Sequence, residues 1–232
     1  MVQMPYRNTS GDGQIGCVLN SLYNRDPMSH GHINFTRCGL PIDVQKRIGE
    51  KFWGSPDTVD AIGDYTPTNI YKMKRLQWVV ARKELHDMLG ICSWTAPWEV
   101  SPLREKGYIG DIEMESKVFR AVTGIEMTQD DLDKAGLRAF ILQRLYTMRQ
   151  LKSRNPRQDH DQYPEWIFWD PKGKAPFTKG TIRMERSDIE KSFDLFYGLM
   201  DFDVKTGAPT EKSLKEYGLD FALSTMKQEG LM

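Results

Sequence analysis

Residues 66–92, TPTNIYKMKRLQWVVARKELHDMLGIC, contain the strongest helix pattern in the chain. Thr66 is a suitable N-cap residue, and Pro67 suits the first helical position. Gly90 is a natural stop, because glycine tolerates the left-handed conformation at a helix end. Apolar side chains recur between these signals at helical spacing and form one broad stripe, namely Ile70, Met73, Leu76, Val80, Leu85 and Leu89. The stretch therefore predicts a long amphipathic helix that ends within residues 87–92.

Helix signals continue through the rest of the chain. Pro41 predicts a short helix that runs to about Phe52 and is ended by Gly54. Another short helix is predicted from about Glu113 to Gly124. Capping residues predict three more, namely Thr128 with Asp131, Ser187 with Glu190 for a helix ending near Met200, and Thr210 for one ended by Gly218. The helix after Thr128 is predicted to turn inward Leu132, Ala135, Ala139, Leu142, Leu145 and Tyr146. The predicted fold class is mainly α, without internal repeats.

Loops and irregular chain are predicted for the other segments. Residues 1–40 are rich in Gly, Asn, Ser and His and show little helical periodicity, which predicts irregular chain laid over another surface. Residues 93–112 predict an aromatic loop, residues 153–164 a charged loop, and residues 181–184 a short strand. The predicted division is an irregular segment, 1–40, and a helical domain, 41–232.

The composition excludes several classes of protein. Lys plus Arg and Asp plus Glu number 32 each among 232 residues, so the chain lacks the basic excess of a general nucleic-acid binder. No run approaches the roughly 18–20 apolar residues of a membrane helix. Three widely spaced cysteines do not form a disulfide framework, and residues 1–10 have no apolar signal-peptide core. We therefore expect a soluble, cytoplasmic protein that binds neither nucleic acid nor a membrane.

Residues 87–92, DMLGIC, place an acid, a glycine and a cysteine where the long helix must stop. Cys92 is either a small buried apolar residue or a thiolate ligand. A cubane iron–sulfur cluster needs about four such ligands, and Cys17 and Cys38 provide no C-x-x-C spacing. Asp87 is either a solvated carboxylate or an acceptor for two N–H groups on the guanidine-like edge of a heterocycle such as a pterin. Its position at the negative end of a helix dipole, with no local partner evident, invites the second reading.

Two further groups of residues are candidates for a site. Residues 24–32, NRDPMSHGH, include His30 and His32. A His-x-His pair alone is a weak metal site, and either histidine could exchange a proton near neutral pH. A polar surface turn is the plain alternative. Four tryptophans could line a ligand pocket, although packing is their more common use; they are Trp94, Trp98, Trp166 and Trp169.

Four blocks of the sequence, taken in order, resemble one known family. They are NRDP at 24–27 with His30 and His32, D-x-x-G-I-C at 87–92, AVTG at 121–124 before Thr128, and Tyr197 followed by TGAPT at 206–210, Leu214 and YGL at 217–219. Together they span most of residues 20–225. The combination resembles the C-terminal part of the aldehyde ferredoxin oxidoreductase family, the tungsten- or molybdenum-bis-pterin (molybdopterin) enzymes, with Ile in place of Leu in the family's D-x-x-G-L-C motif.

The resemblance implies roles for the residues at the end of the long helix. Asp87 would hydrogen-bond a pterin of the cofactor. The backbone around Leu89, Gly90 and Ile91 would contact the same pterin. Cys92 would be the last of four ligands to a [4Fe–4S] cluster and is the only metal ligand implied in this chain.

The resemblance also implies the fold and the reaction. We expect the multi-helical C-terminal domains of this family, with residues 1–40 facing the cofactor. The enzyme would oxidise aldehydes, or related carbonyl compounds, to acids and pass the electrons through the cluster to ferredoxin. His30 or His32 would donate or accept a proton at the substrate carbonyl, and the two remain equivalent candidates.

The sequence departs from the family in one large respect. The C-x-x-C-x-x-x-C segment that supplies the other three cluster ligands does not occur, nor does the N-terminal pterin-binding domain. The implied partner is a missing N-terminal half or a separate subunit, and we expect no activity without it. The alternative is a non-catalytic helical interaction module that has lost the cofactor-binding half.

Overall fold

The structure is a computed structural model that describes residues 13–22, 40–58, 67–92, 98–163, 168 and 185–232. Its helices are α1 Gly13–Leu22, α2 Ile42–Trp53, α3 Ile70–Leu89, α4 Met114–Thr123, α5 Gln129–Leu151, α6 Pro156–Asp159, α7 Arg186–Leu199, α8 Glu211–Glu216 and α9 Asp220–Gln228. Single 3₁₀ turns occupy Pro56–Thr58 and Arg104–Lys106. In these residues β pairing is limited to two isolated bridges, Val100 with Ile109 and Phe202 with Pro209. The predicted mainly α class is confirmed.

The core is built around α3, which packs against α1, α5 and α7. The closest approach of α3 to α5 is at Ala81 and Gly136, where a Cβ added to the glycine would lie 2.2 Å from the Ala81 carbonyl oxygen. Only a glycine allows the two backbones to approach so closely. This crossing places α5 along the side of α3 and sets the position of the α3 C-terminus.

The ends of the helices follow the sequence closely. Gly54, Gly90 and Gly124 each end a helix with positive φ, at 84°, 69° and 73°, as predicted. The capping box of Thr128 and Asp131 is also confirmed. The predicted start of α3 is wrong, because Pro67 lies before the helix and the side chain of Asn69 caps it.

Residues 13–22 correct the prediction of irregular chain for residues 1–40. They form α1, whose Ile15, Val18 and Leu22 are almost completely buried in the core. The apolar spacing of this short helix was hidden by the glycines and asparagines around it. Helix α1 packs against α3 and α7, so residues 13–22 are part of the helical core.

The buried face of α5 is also displaced from the prediction. Leu132 and Leu145 are buried as predicted, but Leu142 and Tyr146 are 43% and 59% exposed, and Phe140 and Ile141 are buried. Helix α5 has apolar residues on more than one side, so the pattern could not decide how the buried face is centred. Gly136, one turn before Phe140, faces Ala81 of α3 at the crossing of the two helices.

Three smaller predictions near the C-terminus need correction or addition. Ser187 does not cap α7, because the helix already begins at Arg186 and Glu185 precedes it without a side-chain cap. The predicted loop 153–164 contains the short helix α6. Thr210 caps α8 as predicted, but the following helix α9 was missed.

None of the described helices combines the length and the apolar character that crossing a membrane requires. The predicted strand 181–184 lies outside the described residues.

Candidate functional site at the end of α3

The last turn of α3 and the residues that follow it, 87–92, are called here the 87–92 turn. Its backbone is closed by the carbonyl oxygen of His86, which accepts the N–H groups of both Gly90 and Ile91, the latter at 2.8 Å. This arrangement is a local consequence of the left-handed glycine. The side chains of Asp87 and Cys92 are exposed on the turn, so it presents a carboxylate and a thiol on the surface.

Asp87 has a local partner that the sequence analysis did not recognise. The Nζ of Lys83, one turn earlier on α3, lies 2.7 Å from its Oδ1. This ion pair offsets the unfavourable position of an acid at a helix C-terminus. The helix position of Asp87 therefore needs no ligand to explain it, although its side chain stays 28% exposed.

The backbone of the turn offers acceptors to a ligand. The N–H groups of Gly90 and Ile91 donate to the carbonyl oxygen of His86. In the described residues no hydrogen bond reaches the carbonyl oxygens of Met88 and Leu89. Together with the negative end of the helix dipole and Asp87, these groups suit an N–H-rich edge, such as that of a pterin, better than an anion.

A buried charge cluster lies behind the turn. We call it the Arg82 cluster, comprising Arg82, His86, Glu115 and Asp133. The guanidinium of Arg82 donates to Glu115, to the Oδ1 of Asp133 at 2.6 Å and to the Ile112 carbonyl at 2.6 Å. The Nε2 of His86 lies 2.9 Å from the Oε1 of Glu115. Burial raises the pKa of Glu115, but the bonds from His86 and Arg82 outweigh it and hold the pKa below its usual value.

A second buried carboxylate lies nearby, in the loop after the turn. Glu99 is fully buried, and the closest cation, the Nη2 of Arg75, is 3.7 Å from its Oε1. Neither carboxylate oxygen has a hydrogen-bond partner in the described part of the chain. Burial raises the pKa of Glu99 to about 7, against the opposing charges of Arg75 and Arg82.

The two described cysteines have opposite environments. Cys17 is buried in the core, and burial raises the pKa of its thiol far above the usual value. It therefore stays protonated and is a poor metal ligand. Cys92 is exposed, and both are reduced thiols. No group of three or more potential metal ligands occurs in the residues that the structure describes, so Cys92 alone does not make a cluster site.

The other candidates from the sequence are placed less fully. His30, His32, Cys38, Trp94, Trp166 and Trp169 lie outside the described residues. Trp98 is half-buried, and its indole Nε1 has no partner in the described part. Among the described residues, the structure therefore places the 87–92 turn next to the Arg82 cluster and adds no other candidate from the sequence to them.

The Arg82 cluster was missed in the sequence analysis. Its one sequence signal is that Arg82 and His86 are four residues apart and so lie on one side of α3. The pairing of His86 with Glu115 joins residues 29 positions apart, and no local pattern predicts it.

A second polar region lies between two helices near the C-terminal half of the chain. A cleft of about 410 Å³ lies between α6 and α7 and is lined by Arg157, Asp161, Tyr163 and Glu190, among others. These polar groups bond to one another: Arg157 pairs with Glu190 at 2.7 Å, Tyr163 donates to Glu190, and Asp161 pairs with Arg144. We therefore interpret the cleft as a polar packing interface between α6 and α7.

Comparison with known families agrees with the sequence blocks from residue 87 onward. The family model described as aldehyde ferredoxin oxidoreductase, domains 2 & 3, matches residues 31–219. The chain belongs to the aldehyde ferredoxin oxidoreductase family. The match covers helices α2 to α8 and the 87–92 turn, whereas α1 and α9 lie outside it. The predicted resemblance is thus confirmed, and an oxidoreductase relationship follows from it.

Proposed function

We propose that this chain is the helical part of a tungsten- or molybdenum-pterin oxidoreductase that converts aldehydes, or related carbonyl compounds, to acids. The observation that carries the proposal is the 87–92 turn, which exposes a carboxylate and a thiol in a chain of this family. The bis-pterin metal centre supplies the two-electron redox chemistry when it is bound. Electrons would leave through a [4Fe–4S] cluster to a ferredoxin.

Each residue of the turn has a defined part in this proposal. Asp87 accepts N–H groups of a pterin, and the backbone around Leu89, Gly90 and Ile91 contacts the same pterin. Cys92 supplies one thiolate of the cluster. His30 or His32 exchanges a proton at the substrate carbonyl.

The ligand set of the cluster is incomplete in this chain. A cubane cluster needs about four ligands, and the described residues supply one exposed thiol. The other three ligands come from outside this sequence, from a further part of the protein or a partner subunit. We propose that the chain alone is inactive. The sparse cysteines support a cytoplasmic location.

The decisive measurement is elemental analysis of the natively purified protein. We expect roughly one tungsten or molybdenum and about four irons per chain, as one cubane cluster requires. Cys92→Ser should remove most of the iron because one thiolate of the cluster is lost.

Cys17→Ala is the matched control for this variant, because it changes a buried thiol that binds nothing outside the core. Iron content that is equal in the Cys92 and Cys17 variants would show that Cys92 is not a ligand.

A second candidate function is favoured by the exposed apolar side chains of α4. Val122, in the last turn of this helix, and Ile125, just after it, are 80% and 56% exposed. Exposed apolar side chains mark an interaction surface when they form a contiguous patch. A helical interaction module would have this surface and no metal. A natively purified protein that lacks tungsten, molybdenum and iron would favour this second function over the first.

A further inference from the structure

Helix α4 is attached to the rest of the protein mainly through one charged residue. Glu115 is the only fully buried residue of α4, whereas the apolar Val118 and Val122 of the same helix are 41% and 80% exposed. Met114 and Phe119 are half-buried, so hydrophobic burial alone does not determine where α4 lies. A buried carboxylate is costly unless it is paired, so the groups that bond Glu115 fix its position.

Both oxygens of the Glu115 carboxylate have partners on α3. Oε2 accepts from Arg82, and Oε1 lies 2.9 Å from the Nε2 of His86. The imidazole of His86 is completely buried, so the bond to Glu115 restrains the orientation of the ring. His86 is in the last turn of α3, where helices fray most easily.

The same histidine closes the 87–92 turn through its backbone. Its carbonyl oxygen accepts the N–H groups of Gly90 and Ile91. A movement of His86 would therefore break both backbone bonds that hold the turn. We propose that Glu115 is a positioning residue, which acts through His86 to fix the backbone that presents Asp87 and Cys92. The relevance of this positioning to a bound cofactor rests on the proposed function. The positioning of the turn by Glu115 is independent of it.

Asp133 provides a matched control on the other side of the same arginine. Its carboxylate accepts from the Nε and Nη2 of Arg82 and from Gln129. Removing its charge weakens the pairing of Arg82 much as removing Glu115 does. Glu115, however, also bonds the His86 ring, whereas the bonds of Asp133 described here are to Arg82 and Gln129. If Glu115 only neutralised the charge of Arg82, then substitutions of Glu115 and of Asp133 would affect the 87–92 turn equally.

The test is backbone amide exchange, measured by NMR on the full chain without added metal. Glu115→Ala should speed exchange at the N–H groups of Gly90 and Ile91 about ten-fold or more, as loss of a hydrogen bond to a charged group would do. Glu115→Gln should restore slow exchange, because its amide oxygen can still accept from His86. Asp133→Asn should leave these two amides unchanged.

Two results would overturn the positioning role. One is equal acceleration at both amides in the Asp133 variant, and the other is unchanged exchange in Glu115→Ala. If Glu115→Ala does not fold, His86→Ala decides the matter, since it removes the ring while Glu115 keeps Arg82. Unchanged exchange at Gly90 and Ile91 in His86→Ala would equally overturn the proposal.

The alkylation rate of Cys92 provides a second readout. We expect a change in this rate in Glu115→Ala and not in Asp133→Asn, because the thiol lies on the turn that Glu115 restrains. Failure of the proposed function is distinguishable, since it would appear as missing metal in the native protein while these two measurements stay as expected.

Discussion

Two buried arginines, Arg82 and Arg144, are each surrounded by a cluster of polar groups, and the two clusters differ in what lies beside them on the surface. The Arg82 cluster lies behind the exposed 87–92 turn. The Arg144 cluster, comprising Arg144, His160, Asp161 and Tyr197, joins α5 and α7 to the residues after α6. In the second cluster Arg144 pairs with both oxygens of Asp161 and also donates to the Gly207 carbonyl at 2.7 Å.

The two clusters differ in what they leave on the surface. The polar groups of the Arg144 cluster bond to one another, including the hydroxyl of Tyr197 and the Nδ1 of His160 on Asp161. The Arg82 cluster continues through His86 to a turn with an exposed acid and an exposed thiol. Burial and ion pairing alone therefore do not mark a functional site in this protein. The presence of reactive groups beside the cluster is what makes the 87–92 turn the candidate.

The largest effect on stability is expected from the closed cluster. Asp161→Ala would leave the buried Arg144 without its carboxylate and should lower the free energy of unfolding by about 3–5 kcal/mol. Urea unfolding monitored by circular dichroism measures this loss. Tyr197→Phe removes one hydrogen bond and keeps the ion pair, so it should cost only about 1 kcal/mol. Equal losses in the two variants would show that the ion pair is not the main contribution.

The next prediction concerns the pH dependence of stability, to which the buried carboxylates Glu99 and Asp161 contribute in opposite ways. Because the pKa of Glu99 is raised from 4.5 to about 7 in the folded protein, its charged form is disfavoured by folding. Its contribution to stability is present below pH 4.5 and is lost as the pH rises through about 7. The stability should fall by about 1.4 kcal/mol per pH unit in that window, and by about 3 kcal/mol in all.

Asp161 should behave in the opposite way. Burial raises its pKa, but Arg144 and the hydrogen bonds from His160 and Tyr197 hold the pKa below the usual value. Its contribution is therefore present above the usual pKa and is lost only as the pH falls through the lowered value. The two contributions thus lie in separate pH windows and can be measured independently.

Glu99→Gln is the variant that tests the first window. Between pH 4.5 and 7 the free energy of unfolding of this variant should no longer carry the pH dependence that comes from the titration of one carboxylate. The variant also removes the charged partner of Arg75, which changes the absolute stability but not this slope. Glu105→Gln, an exposed carboxylate in the same segment, is the control. An unchanged slope in the Glu99 variant would contradict its raised pKa.

The smallest effect on stability is expected at the exposed turn. Asp87→Ala removes one helical ion pair with Lys83 and should cost no more than about 0.5 kcal/mol. It should nevertheless weaken retention of tungsten or molybdenum in the native protein, because Asp87 is the proposed pterin acceptor. Asp43→Ala breaks another i,i+4 pair, with Arg47, whose side chains are more exposed than those of Lys83 and Asp87, and it should leave metal retention unchanged. A matching loss of metal in both variants would remove the case for Asp87.

Much of the local structure was determined by the sequence itself. The ends of α2, α3 and α4 at Gly54, Gly90 and Gly124 were predictable, because the left-handed backbone at a helix end depends on the residue in that position. The position of Asp87 and Cys92 at the end of a helix was predictable for the same reason, because it depends on residues that are close together in the chain. The family was predictable from the order of four short blocks along the sequence.

Only the tertiary structure decided the rest. The burial of α1, the inward side of α5 and the bond between His86 and Glu115 depend on contacts between distant segments. At the α3–α5 crossing, Gly136 has no side chain to mark its importance, yet it sets the distance between two helices. Charged residues such as Arg82 look solvent-exposed in a sequence, because their burial is favourable only once partners from other helices surround them.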